Sequence, residues 1–280
     1  MLAYRHLFHA GNFADVFKHA LLVQLLRALA EKEKPFCYLD THAGTGRYDL
    51  KHPWAEKARE YATGIGRVWE LPDVPEPLTA YLDAVRAENP DGRLLVYPGS
   101  PRIARRLIRS GDRMVLTELN KRDCAALESL FAGDRQVQVR CMDGYQALKA
   151  FLPPTERRGL VLLDSSFDRA GEFARITEAL ADACRRWATG VYAVWYPLME
   201  PAAMRRFERD LVKTGIRKLL QLELTVGPES WTATMRGCGM LIVNPPWKLD
   251  ATARPLLAWL AHALAQSGGG GSSVRWLVPE

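Results

Sequence analysis

Cysteine is scarce in this chain, and the little there is does not pair. Five cysteines (37, 124, 141, 184 and 238) are scattered over 280 residues without a C-x-x-C unit. An odd, dispersed set argues against a disulfide framework, and the missing paired spacing argues against structural zinc. No histidine spacing is joined to acids in a ligand-like pattern, so no metal is expected. No apolar run approaches the ~18 residues of a membrane span. The opening residues, MLAYRHLFHAGN, lack the apolar core of a secretory signal, which predicts a cytoplasmic protein with no membrane contact. There is no internal repeat. Two nucleotide-binding loops are also absent: the full G-x-G-x-x-G of a dinucleotide site and the G-K-[ST] of a phosphate cradle.

What is present reads as an α/β protein. The chain is 48% hydrophobic and 25% charged, ordinary for a globular protein and long enough for one large domain, or one domain with an insertion. Strand candidates at 36–40, 114–118, 137–142, 160–164, 191–196, 219–226 and 240–244 alternate with helical patterns. That alternation predicts a mostly parallel sheet covered on both faces. The interval 49–96 breaks the rhythm: it has Pro-rich joints and short amphipathic pieces but no buried strand. It is expected to be a helical insertion subdomain, with 1–48 and 97–280 forming the core. SGGGGSS at 267–273 is expected to be a flexible connector before a short apolar tail.

Ligands of open α/β sheets sit outside the carboxyl ends of the strands, so the residues at those ends carry the argument. The first strand runs into Asp40-Thr41-His42-Ala43-Gly44-Thr45-Gly46. An acid followed by small-residue turns lets backbone N–H groups approach a nucleoside cofactor, and the spacing looks like motif I of S-adenosylmethionine-dependent methyltransferases. Glu118 ends the second strand, where a carboxylate can accept both ribose hydroxyls. Asp143-Gly144 follows the third, able to accept from an adenine amino group, and Asp164 ends the fourth. Any one of these acids could be a helix N-cap instead. Four on consecutive strands point to a binding edge.

Two segments compete for the role of orienting a substrate amine. Amino-group methyltransferases carry [DN]-P-P-[YFW] there, the aromatic stacking on an extruded base. Asp164-Ser165-Ser166-Phe167 keeps the acid and the aromatic but has serines for both prolines. Asn244-Pro245-Pro246-Trp247 matches the pattern better but ends the last strand, three strands too late. An N-P-P turn is also a common structural stop, so Asp164 is favoured. Elsewhere, Tyr4, His6, His9, Lys18 and His19 crowd the start of a helix capped at Asn12. Arginines cluster at 102, 105, 106, 109 and 113, at 157 and 158, and at 205, 206 and 209, in a chain of net charge +6. Positions 102, 105, 106 and 109 would share a helix face, a stripe suited to RNA.

Taken together, YRHxFHAGNxADVxKH at 4–19, LDTHAGxGRY at 39–48, YPGSP at 97–101, the Glu118 and Asp143-Gly144 tips and NPPW at 244–247 resemble the RlmJ-type 23S rRNA adenine-N6 methyltransferases. The resemblance covers nearly the whole chain. It implies a Rossmann-like, seven-stranded class I methyltransferase sheet with a small helical insertion and an antiparallel last strand. It also implies S-adenosylmethionine as cofactor, held by His19, His42, Ser100, Glu118, Asp143, Gly144 and Asp164. Asp164 would be catalytic at the target amine, and Tyr4, His6, Lys18 and Phe167 would serve the RNA substrate. The implied partner is 23S rRNA, protein-free or in an early assembly precursor, acted on by a monomer. DSSF stands where the family usually reads DPPY. A DNA adenine-N6 methyltransferase and a non-catalytic RNA- or cofactor-binding homologue are the alternatives.

Overall fold

The computed structural model describes residues 4–228 and 235–280. Its ten strands are β1 (Cys37–Asp40), β2 (Arg47–Asp49), β3 (Val96–Pro98), β4 (Arg113–Glu118), β5 (Val137–Cys141), β6 (Gly159–Leu163), β7 (Val191–Pro197), β8 (Leu219–Thr225), β9 (Gly237–Val243) and β10 (Gly271–Val278). Eight form one sheet in the order β10-β8-β9-β7-β6-β1-β4-β5, and β2 pairs with β3 alone. β5, β4, β1, β6 and β7 are parallel. β9 runs antiparallel to both β7 and β8. Connections leave β1 toward β4 on one side and reach β6 on the other, so the sheet has its switch point between β1 and β6, where a ligand crevice opens.

Alternation along the central strands builds two cores. Tyr38, Leu116, Leu160 and Leu162 face the helix Phe13–Ala30, whose Val16, Phe17, Leu21 and Leu25 are fully buried. Leu39, Val115, Val161 and Leu163 face the helices Gly144–Phe151, Glu172–Arg186 and Pro201–Lys213. The sheet is therefore the middle of three layers, which explains strands that read as continuous apolar runs. Between β2 and β3 lie four helices, Pro53–Ala58, Glu60–Thr63, Ile65–Trp69 and Glu76–Arg86. Their Ile65, Val68, Leu78, Tyr81 and Leu82 join the same core as the helix Phe13–Ala30.

Two expectations are corrected. The segment 267–273 is not a flexible connector. It folds as a tight turn, with the Gly269 N–H on the Gln266 carbonyl at 3.0 Å, and leads into β10, an eighth strand antiparallel to β8. The glycines serve fit rather than motion: Gly268 sits at φ +76°, and a Cβ on Gly270 would lie 2.5 Å from the Ala261 carbonyl oxygen. The arginine stripe is the second correction. Its helix ends at Leu107, and all of its members but the exposed Arg106 are held by acids. Arg102 meets Glu88 at 2.5 Å, Arg109 meets Asp112 at 2.9 Å, Arg113 meets Glu156 at 2.8 Å, and Arg105 pairs with Asp134. Arg109 also donates to the carbonyls of Ala30, Lys32 and Lys34. These four guanidiniums hold loops together, so the stripe is mostly structural rather than a continuous polyanion surface.

Candidate active site

The carboxyl ends of β1, β4, β5, β6 and β7 open on a cavity of about 590 Å³, within the size range of small-molecule sites. Its walls include Tyr4, His6, Lys18, His19, His42, Ser100, Glu118, Asp143, Gly144, Asp164 and Phe167; of the four strand-end acids the sequence pointed to, Asp40 is not in the wall. Asn244 is elsewhere. Because β9 is antiparallel, its carboxyl end pairs with Tyr192 at the opposite edge of the sheet. There the Asn244 amide donates to the carbonyls of Ala188 and Gly190, both at 2.8 Å. The NPPW turn is a structural stop.

The middle of the cavity is a buried chain of charge. The Lys18 ammonium sits between two carboxylates, 2.9 Å from Asp15 and 2.5 Å from Asp164. Asp15 lies 3.0 Å from Nε2 of His6, and Tyr4 Oη lies 2.8 Å from the other ring nitrogen. Burial opposes the charge on Asp15, but His6 and Lys18 outweigh it and hold the carboxyl well below its ordinary value. Burial likewise opposes the charge on Lys18, and Asp15 and Asp164 outweigh it, raising the ammonium well above its ordinary value. Lys18 therefore stays charged and cannot accept a proton. The Asp15 N–H also donates to Oδ1 of Asn12 at 3.0 Å, closing the helix cap. The sign of its further role was an Asp/Lys pair three apart inside an otherwise apolar helix.

The other strand tips are engaged in distinct ways. Glu118 accepts from the N–H groups of Gly44 at 2.9 Å and Asn120 at 2.7 Å. Burial raises its carboxyl above the ordinary value in spite of them. Asp143 caps the helix Gly144–Phe151 with one oxygen and accepts from Arg175 with the other at 2.8 Å. Burial opposes its charge, but Arg175 outweighs burial and lowers its carboxyl. Arg175, which sequence reasoning missed, also lies 4.0 Å over the Tyr145 ring. Gly144 has no room for a side chain, since a Cβ would come within 2.2 Å of the Thr41 carbonyl oxygen. The two histidines are uncharged: burial lowers His42, and pushes His19 down to about 3 beside the Tyr97 hydroxyl. The Thr41 hydroxyl donates to the Leu162 carbonyl, so Nδ1 of His42 must be its donor at 2.8 Å, leaving Nε2 as an acceptor.

Asp40 is buried and works inward. Tyr38 and Ser100 each donate to its Oδ2 at 2.7 Å. Burial nevertheless raises its carboxyl from 3.8 to about 6. A raised acid favours the folded state when protonated, so its contribution is present at low pH and fades as pH rises through about 6. Asp40→Asn is expected to remove this dependence, worth on the order of 3 kcal/mol across the window. Urea denaturation of both proteins from about pH 3.5 to about 7.5 checks it: the wild type should lose stability relative to the variant as pH rises from 3.8 to about 6.

The loop after Asp164 shows what the two serines do. Ser166 Oγ donates to Asp168 at 2.6 Å. Ser165 Oγ is buried with no hydrogen-bond partner among the described residues, a cost that proline would not carry. Phe167 adopts φ +52°, a left-handed conformation strained for an aromatic residue. It is held there by Phe173 and Trp195, with ring centroids 4.9 and 5.9 Å away.

A mostly parallel sheet with an antiparallel β9 and acids at the tips of β4 and β6 and just beyond β5, around one cavity, with a fourth acid buried at the tip of β1, defines a Rossmann-like class I methyltransferase. A family model described as "Ribosomal RNA large subunit methyltransferase D, RlmJ" matches residues 33–278, and the chain belongs to that family. Ribosomal RNA large subunit methyltransferase J of Escherichia coli (strain K12) is 46% identical over 280 residues, covering 100% of both chains. The protein of the same name from Haemophilus influenzae is 44% identical over 281 residues, again covering 100% of both. A crystal structure of a Legionella pneumophila protein superposes with a TM-score of 0.89 at 36% identity, covering 95% of this chain and 98% of that one. Among the described residues, no helix is long and apolar enough to cross a membrane, and no cluster of His, Cys, Asp and Glu could hold a metal.

Proposed function

We propose that this protein transfers a methyl group from S-adenosylmethionine to the N6 amino group of an adenine in 23S rRNA. The observation that carries the reading is Asp164, an acid at the tip of β6 that faces the cavity while Lys18 fixes it from behind at 2.5 Å. The walls fit the cofactor: Glu118 offers a carboxylate to ribose hydroxyls, and Gly44 and Gly144 leave backbone where a Cβ would lie 2.3 and 2.2 Å from its neighbours. His42, Ser100 and Asp143 complete that wall, and neutral His19 closes it with Tyr97 behind it. When bound, the cofactor supplies a methyl group already activated on a sulfonium, so positioning is the main task left to the protein.

Asp164 and the Ser165 carbonyl accept from the two hydrogens of the amine and turn its lone pair toward the methyl donor. Lys18 keeps the Asp164 carboxylate in place opposite an amine that becomes positive as it is methylated. The Asp164 carboxylate then takes the proton that the methylated amine sheds. Phe167 offers a ring against the extruded base, and Tyr4 lies at the entrance, stacked on His9 at 5.4 Å. The interval 49–96 is proposed as a subdomain that anchors this entrance: Glu60 lies 3.0 Å from His9 and accepts from Asn12 at 2.9 Å. Incubation with tritiated S-adenosylmethionine and either 23S rRNA or duplex DNA tests the substrate. Label is expected in the RNA; label in the DNA alone, or cofactor binding without transfer to either, would overturn the proposal.

A further inference from the structure

Arg205, Arg206 and Arg209 do not belong to the machinery described so far, and they differ from most of the other clustered arginines, among which only Arg106 and Arg157 are exposed and without an ion pair among the described residues. Arg102, Arg105, Arg109 and Arg113 are ion-paired, and Arg158 donates to the carbonyls of Leu29 and Lys34. The three on the helix Pro201–Lys213 are exposed. Their one acidic contact among the described residues is Arg206 to Asp210, at 3.7 Å. Nearby, Glu208 is taken by Arg275 and Asp168 by Ser166. Phe207 and Leu211 bury the opposite side of the helix, so it is held firmly with its guanidiniums outward.

The topology sets that stripe beside the cavity. β6 and β7 are parallel neighbours, and the helix after each packs on the same face of the sheet. Both helices therefore begin at the edge where the cavity opens. Arg169, exposed and in the cavity wall, precedes the first helix, and Pro197, also in the wall, precedes the second by four residues. Arg205 and Arg209 are one helical turn apart, about 6 Å along the axis. A basic track that starts at the loop carrying Asp164 and continues down a rigid helix suits a run of phosphates.

We propose that Arg169, Arg205, Arg206 and Arg209 bind the RNA backbone flanking the target nucleotide. This rests on the methyltransferase reading above. The test reverses Arg205, Arg206 and Arg209 to Glu together, with Arg93, Arg135 and Arg254, also exposed, reversed as a control of equal charge. The readouts are methyl transfer against concentration of a 23S rRNA fragment and binding of the same labelled fragment by anisotropy. KM and Kd are expected to rise roughly tenfold or more and the salt slope to fall by about two to three, with kcat and S-adenosylmethionine affinity unchanged. Wild-type KM, Kd and salt slope, or the same change in the control, would overturn the proposal. RNA binding that needs these arginines but brings no methyl transfer would keep this surface and overturn the methylation reading instead. A wild-type protein that does not bind the fragment would overturn both.

Discussion

Asp164→Ala is expected to lower methyl transfer to unmodified 23S rRNA by about a hundredfold to a thousandfold, the usual loss when a positioned electrostatic group is removed. The fold should survive, because Lys18 keeps Asp15 at 2.9 Å when Asp164 is gone. The loss should fall on kcat rather than on KM for RNA, since the carboxylate acts at the amine and not on the backbone. Asp164→Asn keeps one acceptor oxygen but loses the charge facing a nitrogen that becomes positive, so it should recover only part of the activity. Single-turnover rates at saturating RNA and cofactor read the effect directly. An Asp164→Ala protein as fast as the wild type would remove the residue from the mechanism.

Lys18→Met is expected to do two things at once. Asp15 and Asp164 have only 2% and 16% of their side-chain surface exposed and share this ammonium. Deleting it leaves Asp164 without a cation and Asp15 with His6 alone at 3.0 Å, and breaking a buried pair in this way typically costs about 3–5 kcal/mol. For a chain of 280 residues, that corresponds to a fall of roughly 5–9 °C in Tm. Activity should be lost even where the variant is folded, because nothing then holds Asp164 against the amine. Asp15→Asn combined with Lys18→Met removes one of the stranded charges and should regain part of the stability but none of the activity. Calorimetry and transfer rates on the same preparations separate the effects. Equal melting temperatures for wild type and Lys18→Met would mean that the ion pair is not the buried clamp inferred from its geometry.

Much of this site could be read from residue order. The apolar runs that end in Asp40, Glu118 and Asp164 are strands because both faces are covered, and a covered strand writes an uninterrupted pattern into the sequence. The position of Asp164, rather than the better-matching Asn244, followed from counting strands, and the antiparallel β9 puts Asn244 at the far edge. Three features were hidden for physical reasons. Gly268 and Gly270 look like linker residues because glycine serves both freedom and close contact, and only tertiary structure distinguishes them. The partners of Arg102 and Arg113, Glu88 and Glu156, are 14 and 43 residues away, beyond any helical periodicity. Asp143 reads as a cofactor acid, and its oxygens also cap a helix and hold Arg175, a pairing across 32 residues that spacing cannot show.

The central claim is that the cavity edge at Asp164 methylates one amine of one RNA. Nucleoside analysis tests it most directly, using 23S rRNA from a methylation-deficient strain treated with this protein and S-adenosylmethionine. The predicted result is N6-methyladenosine at a single position, absent when Asp164→Ala replaces the wild type. Methylation on another atom or another base, or N6-methyladenosine formed equally by the Asp164→Ala variant, would contradict it.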